Sequence, residues 1–226
     1  MKNLASLSLL AATFWLTLSS TAAFAEDARV LAFEVFRDDA PIGYHSLTFT
    51  EMDGETSVEI DIALDVTFAF INLYSYRHKN REVWRDGKLV KIDTQTDDNG
   101  DSFQVSGQAR EDGFWIEGTS GNYLAPADIY PTSYWQPGTM SKRQLLDSQS
   151  GRLIEVGVEA RGPEKIDILG QNSAAERFDV SGDLDLSIWY GPAGEWAGLQ
   201  FEARGADITY RRIDKLPKSI TQGAAQ

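Results

Sequence analysis

One stretch of this chain limits its fold more than any other. Val58, Ile60, Ile62, Leu64, Val66, Phe68 and Phe70 alternate without interruption, with Glu59, Asp61, Asp65 and Thr67 among the intervening residues beside Ala63 and Ala69. A period of two puts all the large apolar side chains on one face of a strand; on a helix the same residues would scatter around the axis. The run is longer than a usual strand of roughly 3–10 residues. An extended segment of that length has to twist and coil, so it is predicted to form the wall of a curved half-barrel or barrel, not part of a flat sheet.

Turn chemistry divides the rest of the first half. Asp53-Gly54, Asp86-Gly87, Asn99-Gly100 and Asp112-Gly113 are pairs that tolerate positive φ in tight hairpins. Between them lie the strand-like runs 42–51, 74–85, 88–96, 102–110 and 114–119, preceded by 30–37. Strands joined by such short turns are antiparallel neighbours, which makes this half a meander. Residues 120–138 contain Pro126, Pro131 and Pro137 together with Tyr123, Tyr130, Tyr134 and Trp135, and are expected to be a long loop. Residues 141–147 could hold a helical turn or two. Strands are expected again at 152–160, 166–169, 176–180, 184–190, 195–204 and 207–213. The predicted fold is therefore all-β: a single, strongly curved antiparallel sheet or half-open barrel, with one long Pro/aromatic loop and at most one short helix.

The first residues read as a secretory signal. Lys2 precedes an apolar run from Leu4 to Leu18, and Ala23-Phe24-Ala25 has the small-x-small pattern of a cleavage site. The expected organisation is a signal peptide over 1–25, one domain over 26–218 and a disordered tail over 219–226, with the mature protein in the periplasm. The apolar run is shorter than the roughly 20 residues a membrane-spanning helix needs, so no transmembrane segment is expected after cleavage. The chain has no cysteine, which removes disulfides, thiolate chemistry and a lipid-modified cleavage site. Without Lys2 the formal charge of −13 becomes −14. A field of that sign repels phosphate backbones and anionic lipid head groups, which argues against nucleic acid as a partner.

Four short segments are similar to those of a known family: Trp84-Arg85-Asp86-Gly87-Lys88-Leu89, Pro131-Thr132-Ser133-Tyr134-Trp135, the run from Leu145 to Gly151, and the run from Ile188 to Trp196. They resemble an uncharacterised exported β-sheet family of Gram-negative bacteria, a domain of unknown function. The likeness extends from Val30 to Arg212. It implies a single periplasmic domain built on a strongly bent antiparallel sheet, and it carries over no catalytic residue. Gly191-Pro192 departs from the acidic turn expected at that place.

Candidate chemistry is sparse. His45 and His78 are the only histidines, no zinc-binding spacing is present, and no phosphate loop or dinucleotide fingerprint appears, so neither a metal nor a cofactor is expected. Ser133 would need a histidine base that nothing in the sequence places beside it. Asp97-Asp98-Asn99-Gly100-Asp101 offers oxygen ligands for calcium, but a hairpin turn explains it fully. Tyr74, Tyr76, His78, Glu82 and Trp84 alternate on one strand face. They either line a cavity, or form ordinary core with His78 and Glu82 near the rim of the sheet. Tyr130, Tyr134 and Trp135 in the proline-rich segment either close that cavity as a lid or fill it as core. The primary expectation is a non-enzymatic carrier of a lipid-like or hydrophobic ligand. An envelope protein-interaction or assembly factor and a hydrolase with an acidic site are the alternatives.

Overall fold

The computed structural model describes residues 29–216; the signal segment over 1–25 and the tail over 219–226 lie outside the described residues. The first half is the expected meander: β1 (Arg29–Arg37), β2 (Ala40–Met52), β3 (Glu55–Phe68), β4 (Ile71–Arg85), β5 (Lys88–Asp98), β6 (Asp101–Arg110) and β7 (Gly113–Gly118). At three of the predicted turns both central residues have positive φ, from Asp86 at 51° to Gly100 at 98°. That geometry matches the right-handed twist of the flanking strands. The chain goes on through β8 (Gly121–Ala125), β9 (Tyr130–Pro131), β10 (Gln144–Leu146), β11 (Leu153–Ile168), β12 (Gln171–Gly182), β13 (Leu186–Tyr190), β14 (Trp196–Ala203) and β15 (Ala206–Ile213).

All fifteen strands form one sheet, in which β1 pairs with β2 on one side and β15 on the other. First and last strands thus lie side by side and join two meanders into one surface. The two edge strands, β8 and β9, are separated only by residues 126–129. Four residues reach at most about 15 Å, so the sheet has to roll until its edges approach. At this seam the Ser120 N–H donates to the Ser150 carbonyl at 3.2 Å and the Tyr123 hydroxyl to that of Gly151 at 2.7 Å. Gly118 and Gly151 permit the approach, since a Cβ on Gly118 would lie 3.2 Å from the Gly151 Cα. No ladder closes the seam, and the fold is a half-open barrel.

Several details differ from the sequence reading. Residues 120–138 are not all loop, because β8 pairs back onto β7 from Phe114↔Ala125 to Gly118↔Gly121. Among the described residues the one 3₁₀ turn lies at Pro137–Ser141, and Gln144–Leu146 is extended, paired antiparallel with β11 and parallel with β9. The stretches 152–160 and 166–169 belong to one strand, β11, which passes through Gly162-Pro163 at a register shift. A bulge of this kind accommodates a residue without an N–H.

The alternating stripe of β3 faces inward over only part of its length. Val58 and Ile60 are buried, Ile62, Leu64 and Val66 half-buried, and Phe68 exposed. Strand β3 stops at Phe68, and Ala69 and Phe70 turn into β4 with φ of 47° and 70°. The main core sits at the opposite end, where Leu47, Val58, Leu89, Ile92, Phe114, Ile116 and Leu146 pack together.

Candidate functional site

Antiparallel register brings together what is distant in sequence. His45 lies opposite Ile62, Ile62 opposite His78, and His78 opposite Thr96. Directly opposed residues share a face, so both histidines stand in one row across the inner wall. The adjacent row holds Gly43, Leu64, Tyr76 and Asp98, and the Val66–Tyr74 pair lies beyond it. Above these rows is a cavity of about 490 Å³. Its near wall is His45, Ile62, Leu64, Tyr74, Tyr76 and His78; Leu199, Phe201 and Tyr210 with Trp196 form the far wall, and Thr132, Tyr134 and Ser148 contribute from the connecting segment.

The polar groups of this chamber differ in how they are satisfied. The Tyr74 hydroxyl donates to Asp98 Oδ1 at 2.7 Å, and the Tyr76 hydroxyl to Gln149 Oε1 at 3.1 Å. His78 is 3% exposed and pairs through Nδ1 with Thr96 Oγ1 at 2.8 Å. His45 is 4% exposed, yet neither ring nitrogen has a hydrogen-bond partner. Its ring sits edge-on to Trp196 at 5.1 Å and to Tyr210 at 5.7 Å. Burial disfavours the imidazolium, which lowers the pKa of His45 to about 3 and that of His78 to about 4, so both are neutral at physiological pH.

Of the eight side chains singled out from the sequence, Tyr74, Tyr76, His78 and Tyr134 border the cavity. Glu82, Trp84, Tyr130 and Trp135 do not; Glu82 and Trp84 are buried in the core, and the partly buried Tyr130 and Trp135 pack against it. Glu82 is fully buried and accepts from Trp84 Nε1 at 2.8 Å, Trp135 Nε1 at 3.0 Å and Asn80 Nδ2 at 2.8 Å. Trp84 meets Tyr130 and Trp135 edge-on at 5.0 and 5.4 Å, and the Tyr130 hydroxyl donates to the Gly87 carbonyl. Burial raises the Glu82 pKa, opposed by the hydrogen bonds it accepts. Neither His78 nor Glu82 is near a rim. Ser133 is buried, and neither histidine is hydrogen-bonded to it. The proline-rich segment thus serves both roles weighed for it: Trp135 plugs the core and Tyr134 covers the cavity.

His45, Trp196, Phe201 and Tyr210 were missing from the sequence-derived set. The register of the β2–β3 hairpin places His45 beside Ile62, and that signal was available; the far wall depends on how the two meanders face each other. A wider groove of about 950 Å³ runs over the outer face of β2–β7. Glu59, Asp61 and Asp93 alternate there with Lys79 and Arg81, as on an ordinary solvated strand face. Among the described residues, no group of three or more His, Asp or Glu could hold a metal ion, and no helix is long and apolar enough to cross a membrane.

The sequence profile of the family described as Domain of unknown function (DUF6134) matches residues 33–213. In fold, the protein is similar to the crystal structure of a beta-barrel-like protein of Domain of Unknown Function DUF1849 from Brucella abortus. That likeness has a TM-score of 0.59 at 8% identity, over 82% of this chain and 95% of the other. No curated protein matches the chain.

Proposed function

The chain belongs to the DUF6134 family of unknown function, and from that premise we propose that it is a non-enzymatic binding protein for a small amphiphilic or hydrophobic ligand. One observation carries the reading: a chamber of about 490 Å³, with aromatic and aliphatic side chains on both sides and polar groups around them, in which a buried histidine has no partner for either ring nitrogen. Ligand pockets typically have volumes of about 300–1,000 Å³, mostly apolar walls and a few convergent polar groups. An unpaired buried polar group costs stability, so a ligand that supplies the missing partner is favoured by more than its apolar contacts. The Lys2 to Ala25 segment supports a periplasmic location for this activity. A hydrolytic reading has less support, because Glu82 is held by two indoles and an amide in the packed core and neither histidine is hydrogen-bonded to Ser133.

The direct test is organic extraction of protein purified from its native envelope, followed by mass spectrometry. A small amphiphile should be enriched over a control protein prepared in parallel. An extract indistinguishable from the control would overturn the reading.

A further inference from the structure

The rim of the chamber has a charge pattern that narrows the ligand class. Asp98, Asp147, Asp183, Asp185 and Glu202 all border the cavity, and no lysine or arginine does. The outer groove, by contrast, mixes both signs. The rim carboxylates come from four separate parts of the chain: the end of β5, the segment after β10, the β12–β13 connection and β14. Asp98 accepts from Tyr74 and Gln149, Asp147 from Gln149 N and Ser150, and Asp183 from Glu155 N. Asp185 and Glu202 make no side-chain hydrogen bond or ion pair among the described residues, which leaves two uncompensated charges at the mouth.

Below this rim the lining is rich in aromatic faces. Tyr74, Tyr76, Tyr134, Trp196 and Tyr210 surround the volume, and such faces attract cations. The protein already seats one of its own cations at this place: the Arg204 guanidinium, from the β14–β15 turn, lies 4.6 Å from the Tyr74 ring centroid. The second, independent sign of a ligand is His45, buried, bordering the cavity and unpaired at both ring nitrogens. His45 and His78, both neutral, do not offset the negative rim, and Arg204 sets one positive charge against its five carboxylates.

We propose that the chamber takes a small organic cation, an amphiphile carrying a protonated amine, with its charge at the carboxylate rim and its apolar body between the two aromatic walls. This deepens the binding reading above and rests on it. A fatty-acid carboxylate fits the volume equally well, but brings its charge against carboxylates of the same sign. The inference therefore separates ligands by the sign of the head group and not by chain length.

A matched series tests it: octylamine, octanol and octanoate, titrated into the full protein by calorimetry at neutral pH and low salt. Octylamine should bind about tenfold or more tighter than octanol, and octanoate weakest, with the amine advantage shrinking as salt is added. The double variant Asp185→Asn, Glu202→Gln should lose most of that advantage while binding octanol as before; both residues are exposed, and a thermal melt confirms folding. Equal affinities for all three would overturn the cation inference and leave the binding reading standing. Tightest binding of octanoate would overturn it as well. If none of the three bound, both readings would fall.

Discussion

Glu82 and His45 occupy the same inner wall, two rows apart, and are treated in opposite ways. Glu82 lies in the packed half, where two indole N–H groups and an amide surround its carboxyl group. His45 lies at the open half, equally buried, with no partner. Asn80, in the row between them, shares both characters: its amide donates to Glu82 while its Oδ1 has no partner. The unmet polar atoms of this wall are thus Asn80 Oδ1 and both nitrogens of His45, on the cavity side of Glu82, while His78 in the row of His45 is paired with Thr96. Inside a protein a complete polar network rigidifies, and an incomplete one is either a defect or a place kept for something else. The coincidence of the incomplete end with a chamber of about 490 Å³ favours the second explanation.

The sharpest way to break this comparison is to remove each polar group in turn. Glu82→Ala strands three donors in a closed core and should cost on the order of 4 kcal/mol in denaturant unfolding. His45→Phe strands nothing, since neither nitrogen is paired, and should leave stability within about 1 kcal/mol of the parent or above it. Equal losses from the two substitutions would show that His45 has a structural partner after all, and the distinction between the two halves would collapse.

Much of this contrast was legible in the sequence, though not its boundary. Alternation placed Tyr74, Tyr76, His78, Glu82 and Trp84 on one face, and Asp53-Gly54 fixed the hairpin that sets His45 against Ile62; the Ala69-Phe70 turn that sets Ile62 against His78 carries no such signal. Those signals are local: each depends on residues within one strand or across one tight turn. The division of β4 into a lining half and a packed half depends on what meets it from across the barrel. Trp135 reaches Glu82 from 53 residues away, and Trp196 and Tyr210 come from the other meander. Strand β10 was missed for the same reason. Gln144-Leu145-Leu146 has no strand pattern of its own, and its conformation is imposed by ladders with β9 and β11.

The two centres also respond to acid in opposite directions. An unfolded histidine takes up a proton near pH 6.5, whereas His45 and His78 in the fold refuse it until about pH 3 and about pH 4. Between those values the unfolded chain binds more protons, so acid favours unfolding, and their full contribution is present above pH 6.5. Glu82 has a raised pKa and keeps its proton to higher pH in the fold than in the unfolded chain. Between 4.5 and that raised value, acidification therefore restores stability. Each histidine should contribute roughly 1 kcal/mol of loss per pH unit below 6.5. Glu82 opposes that loss, so the net fall in stability between pH 6.5 and 5 should be smaller than the two histidines alone would give. Urea unfolding across that range tests this, and His45→Phe should flatten the profile. A profile that stays flat in the parent would mean that the imidazoles already have partners able to accept the added charge.

The smallest effect concerns the hairpin that overhangs the open end. Beyond Tyr74, which borders the cavity, β3 and β4 continue into a tip where Phe68, Phe70, Ile71 and Leu73 all face solvent. Phe70 is 103% exposed and adopts a φ of 70°, a conformation that a residue with a Cβ occupies at a cost. Nothing in the fold repays that strain, since the ring touches no core. Phe70→Gly should therefore raise stability by about 0.5 kcal/mol, the relief of the left-handed turn less the added freedom of glycine in the unfolded chain. Thermal and urea melts of the single variant measure it. A gain would place the tip with His45 among features that the fold alone does not require, both at the end where the chamber opens. A loss would mean that the ring packs against its own hairpin, and the open end would then be marked by His45 alone.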